Sequence, residues 1–123
     1  MHARPPATDH VAEKQASFHA DVVGEVAAAV AEHDIVVVGM SINPHVKRAR
    51  RLLDEAGQAH HDLDYGGYHA QWKPRLALKM WAGWPTFPMV FVRGRLVGGA
   101  NETHHLVESG ALLELLQAER PSS

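Results

Sequence analysis

The chain carries ten histidines and no cysteine, and these two facts sort the chemistry open to it. Without a thiol there is no disulfide, no thiolate metal site and no thiol nucleophile. Histidine remains as a base, a metal ligand and a charge that changes near neutral pH. Spacing decides among these roles. His60-His61-Asp62 forms one cluster and His104-His105 another. Neighbouring residues of a strand point to opposite faces, so His60 and His61 do not converge on one ion. His104 and His105 are adjacent on a helix and diverge too. Neither pair has the i, i+4 spacing of a helical zinc site, so no metal is expected. Ten added protons would carry the formal charge from −2 to +8. The surface charge should therefore change sign in mildly acid solution.

Two other stretches are distinctive in residue type and spacing. Asn43-Pro44-His45-Val46 opens a helix. Asn43 is a good helix N-cap there, and His45 is placed to act as a base. Further on, Trp84–Gly99 reads Trp-Pro-Thr-Phe-Pro-Met-Val-Phe-Val-Arg-Gly-Arg-Leu-Val-Gly-Gly. Pro85 and Pro88 hold Thr86 and Phe87 extended. Met89–Val92 is an apolar strand run, Arg93-Gly94-Arg95 a turn, and Leu96-Val97 the returning strand before Gly98-Gly99 stops it.

The elements that must position these residues follow in order. A helix capped by Thr8 or Asp9 runs to about Glu32, with Phe18, Val22, Val26, Ala29 and Val30 on its buried face. Ile35–Val38 is a continuous β-branched run, suited to a strand covered on both faces. A second helix spans about Pro44–Ala56 with Gly57 as its stop. Its core stripe is Val46, Ala49, Leu52, Leu53 and Ala56. Ala59–Asp64 holds the next strand, and Tyr65-Gly66-Gly67 is a turn. The third helix covers about Pro74–Ala82. Its apolar residues Leu76, Leu78, Met80 and Trp81 are dense enough to suggest burial on more than one side. After the hairpin, Asn101 caps a final helix that Ser109-Gly110 breaks in two. Strands alternating with helices give an α/β domain: a mixed sheet with helices on both faces.

Composition sets the outer bounds. A chain of 123 residues with 46% hydrophobic residues fits one domain with one core. We expect a disordered tail over 1–7, a single domain over 8–119 and a polar tail over 120–123. No apolar run approaches a membrane span, and the first residues lack a signal-peptide pattern, which points to the cytoplasm. A net charge of −2 does not suggest nucleic acid as a partner.

Over Trp84–Gly99 the chain resembles the glutaredoxins, most closely the monothiol type, in which a Trp-Pro-Thr-x-Pro segment leads into a hairpin ending in Gly-Gly. The resemblance implies a thioredoxin-like fold with a four-stranded mixed sheet, and a cis peptide bond before Pro88. It extends over roughly residues 32–119. The family follows Gly-Gly with Cys-Asp, where this chain has Ala100-Asn101. Aligned on Leu52-Leu53, Asn43 stands at the position of the nucleophilic cysteine, and Met40 at that of a lysine that helps bind glutathione.

The resemblance also implies a partial glutathione site. Arg75 matches the arginine that pairs with the glycine carboxylate. Thr86, Phe87 and Pro88 present backbone to the peptide like an added strand. Gly98 and Gly99 allow close approach, and the N–H groups of Ala100 and Asn101 face the γ-glutamyl carboxylate. Asn101 replaces the aspartate that meets the γ-glutamyl ammonium. Arg75 reads equally well as a solvated helix residue, and Pro88 as a residue that shapes the hairpin entry.

With no cysteine, the implied function is a redox-inactive glutaredoxin-like protein. It needs no cofactor and keeps a groove for weakly bound glutathione or a peptide segment. Two alternatives stay open. One is a protein-interaction module with a BolA-like partner and no small ligand. The other is an oxidoreductase-family member with residual activity, His45 acting as base.

Overall fold

The structure, a computed structural model, describes residues 22–65 and 72–121, with 72–75 described by backbone alone. The expected tail over 1–7, the Thr8 or Asp9 cap, Phe18, the Gly66-Gly67 turn and the Arg75 side chain lie outside the described residues. Helix α1 occupies 22–32. There follow β1 (Ile35–Val38), α2 (Pro44–Glu55), β2 (His61–Leu63), α3 (Trp72–Ala82), β3 (Met89–Val92), β4 (Arg95–Gly98), α4 (Ala100–Ser109) and α5 (Ala111–Gln117). The strands form one sheet in the order β2-β1-β3-β4. Helix α2 is the crossover that makes β1 and β2 parallel, while β3 runs antiparallel to both β1 and β4.

All residues of β1 and β3 are buried, because helices cover both faces of the two central strands. Side-chain alternation along β1 divides the core. Ile35 and Val37 join Val46, Ala49 and Leu53 of α2, Ala100 of α4 and Leu112 of α5. Val36 and Val38 point the other way, to Val22, Val26 and Ala29 of α1 and Leu78 of α3. The four-stranded mixed sheet and its flanking helices are those the sequence implies.

Some elements differ in detail. The third helix begins at Trp72 rather than Pro74, so Pro74 lies deeper in the first turn, where its missing N–H still has no intrahelical acceptor to satisfy. Among its described side chains that helix is buried on one side only. Ala77 and Leu78 face the sheet, whereas Leu76, Met80 and Trp81 are exposed. The hairpin turn is two residues, Arg93 and Gly94, with φ of 50° and 82°, and Arg95 already belongs to β4. Positive angles at both positions let so short a turn follow the twist of its strands. Arg120, in the expected polar tail, donates to the carbonyls of Val30 at 2.8 Å and His33 at 3.0 Å, docking the chain end on the end of α1. No helix among the described residues is long and apolar enough to cross a membrane.

The histidine pairs also separate. His60 sits between Asp54 (Nε2 to Oδ1, 2.7 Å) and Asp62 (Nδ1 to Oδ1, 2.6 Å). Burial works against its charge, but the two carboxylates outweigh that and hold its pKa above 6.5. His61 instead stacks flat on His33, with ring centroids 4.1 Å apart. His104 and His105 meet edge-on at 5.9 Å rather than diverging fully. Among the described residues no group of three or more metal-binding side chains could hold an ion.

Candidate functional site

The site lies where β1, the segment before β3 and the start of α4 come together. Its first wall is the loop from β1 into α2. Gly39 is required there: a Cβ would lie 2.5 Å from Val46 Cγ2. The Ser41 amide and hydroxyl donate to Asp64 at 3.1 and 2.6 Å, and Arg50 donates to Ser41 Oγ at 3.3 Å. These bonds tie the loop to the residue just after β2. The Asn43 amide closes the turn on the Met40 carbonyl at 3.0 Å. Asn43 Oδ1 then accepts from the His45 amide at 2.8 Å. This is N-cap geometry, so the side chain at the expected nucleophile position serves the helix.

The second wall is Thr86-Phe87-Pro88, and the Phe87–Pro88 bond is cis, as the resemblance implies. The third is the start of α4. Here the expected cap is corrected: Gly99, not Asn101, is the N-cap. Glu102 Oε1 accepts from the Gly99 amide at 2.8 Å, and Thr103 Oγ1 donates to the Gly99 carbonyl at 2.9 Å. A glutamate three residues after the cap satisfies an otherwise open N–H, so the helix starts two residues earlier than Asn101 would set it. Gly98 makes room for that glutamate. Its φ is +118°, and a Cβ would lie 2.7 Å from Glu102 Cγ.

These walls enclose a groove of about 470 Å³. Asn43 and His45 line it from α2, Thr86, Phe87 and Pro88 from the middle, and Gly99, Ala100 and Asn101 from α4. The groove thus brings together the expected His45, Thr86, Phe87, Pro88, Gly99, Ala100 and Asn101; the Arg75 side chain lies outside the described residues, and its backbone lies on α3 one turn before Lys79. The sequence reading missed Lys79 and Glu102, which also line the groove. Lys79 Nζ stands 5.7 Å from the centre of the Phe87 ring, a cation–π contact. Its spacing of four from Arg75 was the available signal, since such residues share a helix face. For Glu102 the signal was the glycine three residues before it. A further contact was not legible at all: Arg48 Nη1 of α2 donates to Asn101 Oδ1 of α4 at 2.7 Å.

A parallel β1–β2 pair, an antiparallel hairpin and a groove between a helix start and a cis-proline segment define a thioredoxin-like protein with a peptide-sized cleft. The chain belongs to the glutaredoxin family. It is 38% identical over 110 residues to a glutaredoxin-like protein of Dictyostelium discoideum, covering 89% of each chain. It is 31% identical over 87 residues to glutaredoxin-C4 of Arabidopsis thaliana, covering 71% of this chain and 64% of that one. Among solved structures, oxidized glutaredoxin 2 of Chlamydomonas reinhardtii superposes with a TM-score of 0.69 at 26% identity, over 80% of this chain and 94% of that one. A buckwheat glutaredoxin–glutathione complex superposes at 0.71 with 22% identity, over 85% and 92%. No family model matches the chain.

Proposed function

We propose that this protein is a glutaredoxin of the monothiol-related type that binds glutathione or a glutathione-like peptide without thiol–disulfide exchange. The observation that carries this reading is the groove itself. Phe87 before the cis Pro88, the start of α4 and Lys79 converge on it, while its nucleophile position holds an asparagine spent as a helix cap. A structural neighbour from buckwheat was solved with glutathione, which supports the choice of ligand. The backbone at Phe87 offers peptide hydrogen bonds, the open N–H groups of α4 meet a carboxylate, and Lys79 meets another.

The exchange reaction needs a thiolate to attack a disulfide sulfur. The chain has no cysteine, and His45 has no thiol to activate. The same loss removes the thiolate through which a bridging iron–sulfur cluster would be held.

A second reading keeps the same face for a protein partner of the BolA type. Exposed Ile42 beside the loop and exposed Met80 one residue beyond Lys79 favour it, since apolar side chains beside a groove suit a protein segment.

Calorimetric titration with glutathione, run beside a mixed-disulfide reduction assay, tests the proposal. Binding without turnover above the glutathione background is the expected outcome. Turnover would overturn the redox-inactive reading. Absence of heat at saturating glutathione would move the assignment to the protein-partner reading.

A further inference from the structure

The α4 end of the groove carries a charge arrangement that narrows the ligand class. Asn101 lines the groove, and its Oδ1 already accepts from Arg48 Nη1 at 2.7 Å. One lone pair of that oxygen is thus taken by a cation, and the amide NH₂ is the group left to donate to a ligand. The guanidinium behind it stays charged at any working pH. The neighbouring N–H groups of Ala100 and Asn101 belong to the first turn of α4, where no intrahelical carbonyl is available. Glu102 is the one carboxylate that lines the groove among the described residues. Its Oε1 is taken by the Gly99 amide at 2.8 Å, and its stem lies against Gly98, where a Cβ would be only 2.7 Å away. This end of the groove therefore presents N–H donors and the fixed positive charge of Arg48 beside a Glu102 carboxylate that the Gly99 amide holds back toward the helix cap.

We infer that Arg48 and Asn101 together select a peptide that brings a carboxylate and no ammonium to the start of α4. The inference rests on the proposed groove as the binding site. The acceptor nearest an incoming ammonium already binds a guanidinium, and that guanidinium repels a second cation. Glutathione carries both groups on its γ-glutamyl carbon. The carboxylate is favoured there and the ammonium is opposed. A peptide of the same length with an acyl dicarboxylate in place of the γ-glutamyl residue keeps the favourable contact and loses the unfavourable one. Arg48 and Asn101 are in this sense specificity-determining residues.

The test compares glutathione with N-glutaryl-cysteinylglycine, which differs only by the missing amine, in calorimetric titrations of the full chain. The des-amino peptide should bind about three- to tenfold more tightly, the size expected for removing one like-charge contact at a solvated site. Arg48→Gln should shrink that advantage. The double variant Arg48→Ala, Asn101→Asp exposes a free carboxylate and should reverse the preference toward glutathione. Unchanged circular dichroism would show that each variant is folded. Equal or tighter binding of glutathione by the natural chain would overturn the inference and leave the groove assignment standing. An advantage that survives the double variant would also overturn it. Failure of both peptides to bind the natural chain would remove the groove assignment and the inference with it.

Discussion

Asn43 links what the chain has lost to what it keeps. At the start of a helix, a thiolate is stabilised by the same open N–H groups that an asparagine side chain satisfies directly. The bond from the His45 amide to Asn43 Oδ1, at 2.8 Å, therefore gives stability at the position proposed to correspond to the family's nucleophile. Asn43→Ala should lower the unfolding free energy by about 1 kcal/mol, the usual cost of losing such a cap, as read by urea denaturation. No loss would mean that the side chain is free for a ligand. Lys79 makes the opposite case. It is half-buried over Phe87 and serves no cap or ion pair among the contacts described. Lys79→Ala should weaken glutathione about three- to tenfold, the worth of one charge contact at a solvated site, with the unfolding midpoint nearly unchanged.

At the scale of elements, the α4 start depends on Gly98 more than on any polar contact. The combination of φ +118° and a Cβ position 2.7 Å from Glu102 Cγ means that even alanine must displace the capping glutamate and strain the strand end. Gly98→Ala should destabilise the protein by roughly 1–3 kcal/mol and abolish binding, because the N–H groups of α4 would no longer face the groove. The restraint at the far end of α2 is electrostatic. His60 joins Asp54 at the end of that helix to Asp62 in β2. With a carboxylate at each ring nitrogen, only the doubly protonated ring can donate to both. Because the folded pKa is raised above 6.5, this clamp is fully present below that pH and is lost as pH rises through the folded value. His60→Gln should therefore cost stability at pH 6, by about 1 kcal/mol or less for partners this exposed, and almost none at pH 9. Thermal melts of both proteins at the two pH values check it. An equal loss at both would assign His60 to packing instead.

Over the whole molecule, legibility followed the reach of each interaction. The β-branched run of Ile35–Val38, Val22, Val26 and Ala29 of the α1 stripe, Val46, Ala49 and Leu53 of the α2 stripe, the hairpin and the break at Ser109-Gly110 are local patterns that stand in the structure, while Leu52 and Ala56 are only partly buried. The groove residues on the cis-proline segment and the α4 start were carried by a motif short enough to read directly. What the sequence hid were contacts between elements distant in the chain. The Arg48–Asn101 bond spans 53 residues. The exposure of Leu76 and Met80 depends on which side of α3 the sheet occupies, and apolar density alone does not report that. Asn101 was read as the cap because its side chain suits the role better than glycine does. Glu102 overrode that preference by reaching back to Gly99.

Under the proposed function, a glutaredoxin without a thiol still binds through its groove. Two-dimensional amide NMR during a glutathione titration tests it most directly, because it reports where the ligand sits as well as whether it binds. Progressive shifts are expected at the amides of Phe87, Ala100 and Asn101, with fast exchange and an affinity about ten- to a hundredfold below that of a thiol-bearing site, from the loss of one charged contact. The amides around His60, on the far side of the domain's second helix, should not move. Saturating glutathione that leaves Phe87, Ala100 and Asn101 unshifted would rule out the groove as a glutathione site.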